Sequence, residues 1–349
     1  MPGVRLLSNF KHFNKAMKNK KIKPQLSTLP GRKLLFALSI CCLALFGVVS
    51  TDVIAAVETS FLYTLSNTSG PIPYNWPNLF IDEERNEIYV VDTRKQDIRI
   101  FNDKGMEIYR FGNDGSLGTI VDVAVKKDGS ILVLSKIRRK SVIILCNFRG
   151  EPLEELELKN LPSDFSDFSP DRIAHRKGLL YLLNTFSMRI VVTDTNGVFR
   201  KGYDLGSLVG VEEKKRPNTA IGGFSVDREG NILFTIPVMF AAYSISPDGQ
   251  LKGFGKSGSA PGRFNIVAGI VADDQGNYYV ADKLKCAVIM FDKNFTFLKE
   301  FGYRGYRPGN LIGPKSLVLD TKGRLYVSQR RNRGISVFQI THKPQTAEQ

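Results

Sequence analysis

Histidine, the usual metal ligand and general base, is scarce in this chain. Only His12, His175 and His342 occur in 349 residues, too scattered to gather as a metal set or to serve a Ser/His/Asp arrangement. The cysteines divide into an adjacent pair, Cys41 and Cys42, and two isolated residues, Cys146 and Cys286, with no Cys-x-x-Cys zinc spacing and no Cys-x-x-Cys-His haem site. Two glycine-rich stretches, GKSGSAPG (255–262) and GNLIGPKS (309–316), lack the spacing of a phosphate-cradling loop. These residue types assign no catalytic residue, no metal and no cofactor. What the sequence supplies in quantity is Lys and Arg in short polar stretches: Arg94, Lys95, Arg138, Arg139, Lys140, Lys283, Lys285, Arg304, Arg307, Arg330, Arg331 and Arg333. Such side chains make charge-assisted hydrogen bonds to carboxylates and phosphates, so the chemistry on offer is capture of an anion.

The elements that position these cations are written as a repeat. An apolar strand, Asp-x-x-Gly, a second strand ending in Asp or a polar residue, a basic loop, a third strand and a segment ending Phe-Gly recur, most cleanly in GIVADDQGNYYVADKLKCAVIMFDKNFTFLKEFG (269–302) and SLVLDTKGRLYVSQRRNRGISVFQI (316–340). Anchored at Asp92, Ser135, Asn184, Ile236, Asp282 and Gln329, the copies are spaced by 43, 49, 52, 46 and 47 residues. Apolar residues alternate, as at Ile98 and Ile100, so each copy reads as short strands and a helical solenoid is excluded. Units of this length with four strands each predict an all-β, six-bladed β-propeller.

These units resemble NHL repeats, most closely in EIYVVDTRKQDIRIF, NYYVADKLKCAVIMF and RLYVSQRRNRGISVF. The second to fourth copies depart from the pattern: LLYLLNTFSMRIVV lacks the Asp, and NILFTIPVMFAAYSI carries Pro237, Val238 and Met239 in place of the polar loop. The resemblance covers about residues 61–341 and implies a fold, not an activity. Copy six stops after its third strand at Ile340, while an orphan strand stands at Phe61 to Ser66. Pairing the two would close the ring and leave no open edge.

Blade geometry sorts the charge. Loops after second strands and linkers after fourth strands share one face, and that face collects the twelve cations named above against few acids, among them Asp92, Asp97 and Asp282. The turns on the other face, such as DEERNE (82–87) and DDQG (273–276), are mixed to acidic. Two readings of the basic face stand side by side: loops kept basic for solubility, and a surface that attracts an anionic partner. The same geometry sets Cys146 and Cys286 in opposite blades, too far apart for a disulfide, so both read as buried structural thiols.

The first 33 residues hold nine basic groups and no acid, and LLFALSICCLALFGVVS (34–50) follows. Residues 1–57 therefore read as an export signal, either cleaved near Ala55 or kept as a membrane anchor, with Met17 an alternative start. The expected organisation is export segment 1–57, propeller 58–341 and polar tail 342–349. Of 49 basic and 34 acidic residues, nine and one lie in the first 57, which leaves 40 against 33, a net +7 for the rest. The expected location is extracytoplasmic, periplasmic or tethered to the inner membrane, and export makes nucleic acid a poor candidate partner.

Six-bladed relatives of the NHL propellers include zinc amidating lyases and gluconolactonase-like enzymes with a divalent metal in the channel. Here the innermost strands offer only Asn78, Asp122 and Arg172, and one acid beside an arginine reads as a structural pair. The sequence therefore points to a non-catalytic binding propeller that holds an acidic protein or anionic polymer of the cell envelope on its basic loops. The competing reading is a metal-dependent hydrolase or lyase with its site in the channel.

Overall fold

The computed structural model describes residues 56–343 except 69, 73 and 74. The expected export segment, apart from its last two residues, and the expected tail beyond residue 343 lie outside the described residues. The described chain forms six four-stranded antiparallel sheets arranged as the blades of a propeller. Their innermost strands are Asn78–Asp82, Thr119–Val125, Arg172–Arg176, Gly223–Val226, Val267–Ala272 and Leu317–Leu319. Among the described residues, helix is confined to short turns such as Leu205–Leu208 and Arg216–Thr219, and no helix is long and apolar enough to cross a membrane.

The repeated motifs have local physical causes. In Asp-x-x-Gly-Asn, Asp273 Oδ1 accepts from the backbone N–H groups of Gln275 (2.9 Å) and Asn277 (2.8 Å), while Gly276 takes φ +81°, a left-handed conformation that glycine adopts without steric cost. The same turn is built by Asp227 and by Asp320. The Asp that ends a second strand folds the following loop: Asp92 Oδ1 accepts from the N–H groups of Arg94 and Lys95, and Asp282 Oδ1 from those of Leu284 and Lys285. In blade three Asn184 Oδ1 does the same for Phe186 and Ser187, so the drifted copy keeps the geometry with a neutral acceptor. Phe-Gly ends the fourth strand because Phe301 is buried and the next residue must turn at φ +109°; a Cβ on Gly302 would lie 2.5 Å from Leu311 Cδ1.

The core lies between blades. Six buried apolar clusters fill the six junctions, from Tyr89, Ile98 and Ile144 between blades one and two to Val90, Tyr326 and Val337 between blades six and one. Second strands are packed on both sides and so read as continuous apolar runs, as in ILFTI, buried throughout. Truncating a side chain such as Phe234, fully buried, to Ala would cost about 3–5 kcal/mol.

Blade six is assembled from both ends of the described chain. Its outer strand is Ala56–Thr64, antiparallel to Ile335–Lys343, with Phe61 opposite Phe338. The strand starts five residues before Phe61 and ends at Thr64, after which Ser66–Asn67 turns into a short hairpin with Gly70–Pro71.

Candidate functional site

The innermost strands enclose a channel with a cavity of about 140 Å³, lined by residues of all the blades and polar at both ends. Its lower end lies at the turns after the first strands. There Glu83 of blade one reaches across to Arg176 of blade three (Oε2 to Nη1, 2.9 Å) and to Nε of Arg228 of blade four (3.2 and 3.3 Å). Arg228 continues to Asp274 of blade five. One carboxylate thus clamps two guanidinium forks, a geometry that suits Arg better than Lys.

The upper end opens towards the loops. Asp122 is buried among the first strands, and its Oδ2 accepts from the Ile173 N–H at 3.2 Å. Burial pushes its carboxyl up to about 6, opposed by Arg172, by backbone N–H groups and by Lys315. Burial likewise pushes Lys315 down to about 8, helped by Arg172 and Lys283 and opposed by Asp122. Lys315 Nζ lies 3.4 Å from Asn78 Oδ1, and Asn78 Nδ2 donates to Val121 O at 3.0 Å. Arg172, partly exposed, bonds through Nη1 to Asp171 O and forms an ion pair with Asp171 Oδ1 at 3.9 Å, and the rest of its fork has no hydrogen-bond partner among the described residues. Lys315 stands near the buried Asp122 with Asn78 Oδ1 as its side-chain hydrogen-bond partner.

Above this cluster stands Trp76, the single tryptophan of the chain. It holds φ +57°, a costly conformation for a bulky residue, and is fixed by its backbone N–H to Gln329 O (2.8 Å) and its Nε1–H to Gly313 O (2.7 Å). Arg330 Cζ lies 4.9 Å and Lys283 Nζ 5.5 Å from its ring centroid, distances at which the ring face attracts cations. Burial lowers the pKa of Lys283. Tyr306 is a second post, with Arg333 Cζ at 5.5 Å from its centroid and Arg331 Nη1 at 3.5 Å from its hydroxyl.

The other cations chosen from sequence are placed variously. Arg94, Lys95, Arg138, Arg139, Lys140, Arg304 and Arg307 are exposed on loops or linkers at the upper end. Arg138 and Arg139 form a tight hairpin at φ +49° and +69°, where Asn-Gly would be the relaxed choice. Lys285 is spent internally: its Nζ bonds Glu300 Oε2 (2.7 Å), Ala260 O and Arg263 O, and it offers no charge to a partner. Blade four interrupts the basic rim with the exposed apolar turn Pro237–Met239.

His175 lies in the innermost strand Arg172–Arg176 and lines the channel. Nδ1 is 2.8 Å from Val125 O, which requires the proton there, and burial lowers its pKa, so Nε2 is a bare acceptor. Cys146 and Cys286 are both buried and unbridged, and burial pushes the Cys146 thiol up to about 12.

The upper cluster does not suit a divalent cation. Asp122 is one acid flanked by two cations, Asn78 Oδ1 is taken by Lys315, and among the described residues no group of three or more His, Cys, Asp or Glu is placed to hold a metal. Lys315 and Trp76 were missed in the sequence because neither lies in a repeated motif. The signal was there: Lys315 stands two residues before an innermost strand, where a side chain must meet the channel mouth.

These features define a six-bladed β-propeller with a channel bridged by ion pairs below and basic above. No protein-family profile and no curated protein matches the chain. Solved structures share the fold. An auxiliary nutrient binding protein from Bacteroides ovatus is 13% identical over 82% of this chain and 78% of its own, at TM-score 0.56. A putative gluconolactonase is 11% identical over 84% and 96%, at TM-score 0.54. A catalytically inactive virginiamycin B lyase from Staphylococcus aureus, solved with quinupristin, is 13% identical over 78% and 83%, at TM-score 0.52.

Proposed function

We propose that the chain is a non-catalytic binding propeller of the cell envelope that holds an acidic protein or anionic polymer on its basic loop face. The observation that carries this reading is the set of cations at the upper end, where Lys315 has no acid in ion-pair range among the described residues and the rim cations Lys283 and Arg330 lie against Trp76. Cations held in place by aromatic faces keep their charge available to a partner, whereas the lower end neutralises its own. The reading includes the finer likeness to NHL repeats, the strand Ala56–Thr64 as the seal of the ring, and an extracytoplasmic location with the leading segment removed or kept as an anchor. N-terminal sequencing of protein from envelope fractions tests the location.

The test of function is binding of poly-glutamate across a salt series. Replacing Arg330, Arg331 and Arg333 with Ser is expected to weaken binding about tenfold at low salt and to flatten the salt dependence. Equal binding by both proteins at every salt concentration overturns the reading. The alternative, a metal-dependent hydrolase or lyase, draws on the names of the enzymes among the neighbours; a stoichiometric divalent ion in the purified protein would favour it.

A further inference from the structure

We propose that the upper end of the channel is a carboxylate-binding site, in which Arg172 and Lys315 grip one carboxylate group entering from the basic face. The inference rests on the reading above, that the basic face receives anions, and adds where and how one anionic group is held.

Four observations carry it. The lower end is occupied by the Glu83 clamp on Arg176 and Arg228, whose charges are already paired, so an anion is drawn to the upper end. The cavity volume, about 140 Å³, is roughly that of four or five water molecules. That is below the usual range for a whole drug-sized ligand, so the site accepts a small acid or the end group of a larger one.

The cluster is also not a finished structural network. Where this protein buries a cation for structure it surrounds it with acids: Arg99 meets Asp97 and Glu107, both at 3.0 Å. At the channel mouth Arg172 has Asp171 only at 3.9 Å, and the Lys315 side chain has only the 3.4 Å contact to Asn78 Oδ1 among the described residues. A buried, under-paired cation costs free energy, and a carboxylate is the partner that removes the cost.

Geometry selects the chemistry. The planar guanidinium fork of Arg172 matches a carboxylate in two-point geometry.

Finally, a reporter stands beside the site. Lys283 lies against Trp76 and acts electrostatically on Lys315, so anion capture will alter the surroundings of the only indole in the chain.

Calorimetry and Trp76 fluorescence of the full chain titrated with succinate test the proposal. Saturable binding is expected, weakened roughly tenfold or more in Lys315→Met. It is expected to strengthen in Asp122→Asn, which removes the competing acid and keeps the shape. Opposite responses in two variants exclude misfolding as the cause. Absence of succinate binding, equal binding by Lys315→Met, or tighter binding of inorganic phosphate than of succinate overturns the proposal. Poly-glutamate as competitor separates the sources: displacement of succinate assigns the carboxylate to an acidic polypeptide, and no displacement assigns it to a free small acid. The rim variant with Ser at 330, 331 and 333 separates the two levels of argument. Loss of poly-glutamate binding there, with Lys315→Met indistinguishable from the parent towards succinate, leaves the basic face standing and removes the channel site.

Discussion

The two ends of the channel use similar residue types to opposite ends. Below, Glu83 and Asp274 answer Arg176 and Arg228, each charge has a partner, and the side chains act as a bolt across the ring. Above, Arg172 has Asp171 only at 3.9 Å, Lys315 has no acid in ion-pair range among the described residues, and burial displaces both Asp122 and Lys315 towards neutrality. A paired network supports the fold; an under-paired one is tolerated by it. The difference teaches that charge count alone does not mark a binding site, whereas an unbalanced charge in a buried position does.

Breaking the bolt should have the largest effect. Glu83→Ala leaves two facing arginines without their shared acid and is expected to lower the unfolding free energy in a denaturant titration by about 2–3 kcal/mol. This is below the figure for a fully buried pair because the side chains retain 19–29% exposure. A change below about 0.5 kcal/mol would make the lower end as dispensable as a surface pair.

The upper end should respond with the other sign. Lys315 is lowered from 10.5 to about 8, so the folded state resists its charge. Its stabilising contribution is complete above the unfolded value near 10.5 and is lost as pH falls through about 8. Lys315→Met is therefore expected to raise stability at pH 7 by about 1–3 kcal/mol, an advantage that vanishes towards pH 10.5. Asp122 mirrors this: its carboxyl is raised from 3.8 to about 6, so its contribution is complete below the unfolded value near 3.8 and lost as pH rises through 6. The window between about 6 and 8 is where the cluster carries most charge and helps folding least. Unfolding curves of parent and variant that run parallel from pH 5 to 10 would remove the contrast between the ends.

The smallest effect concerns the rim. Replacing Arg138 and Arg139 with Asn and Gly relaxes two left-handed residues and should add about 1 kcal/mol of stability while weakening poly-glutamate binding at low salt. A gain in stability with unchanged binding would make that hairpin a tight turn that happens to be charged.

Much of the scaffold was legible because its causes are local. Asp273 with Gly276, and Phe301 with Gly302, are turn devices complete within a few residues, so the repeat can be seen without the ring. Even the drifted Asn184 could have been read, since Asn and Asp accept the same backbone bonds. The site was less legible because its partners are distant: Glu83 and Arg228 are 145 residues apart, and Asn78 and Lys315 237 apart. Asp122 and Arg172 were found in the sequence but taken for a finished pair, because the second cation, Lys315, comes from a linker with no repeat to mark it. Lys285 misled in the other direction: its basic loop gave no sign that Glu300 had claimed it.

The pairing of Ala56–Thr64 with Ile335–Lys343 also sets an order of events. The first described strand must wait, unpaired, until nearly all the rest of the described chain has been synthesised, and such long-range pairing is slow to form. A chain halted before Ile335 would carry five complete sheets and two exposed strand edges at the gap, a template for joining another copy. Synthesis of this protein therefore contains a vulnerable interval whose length is set by the separation of two strands, and whatever accompanies the nascent chain must shield those edges until the last described strand arrives.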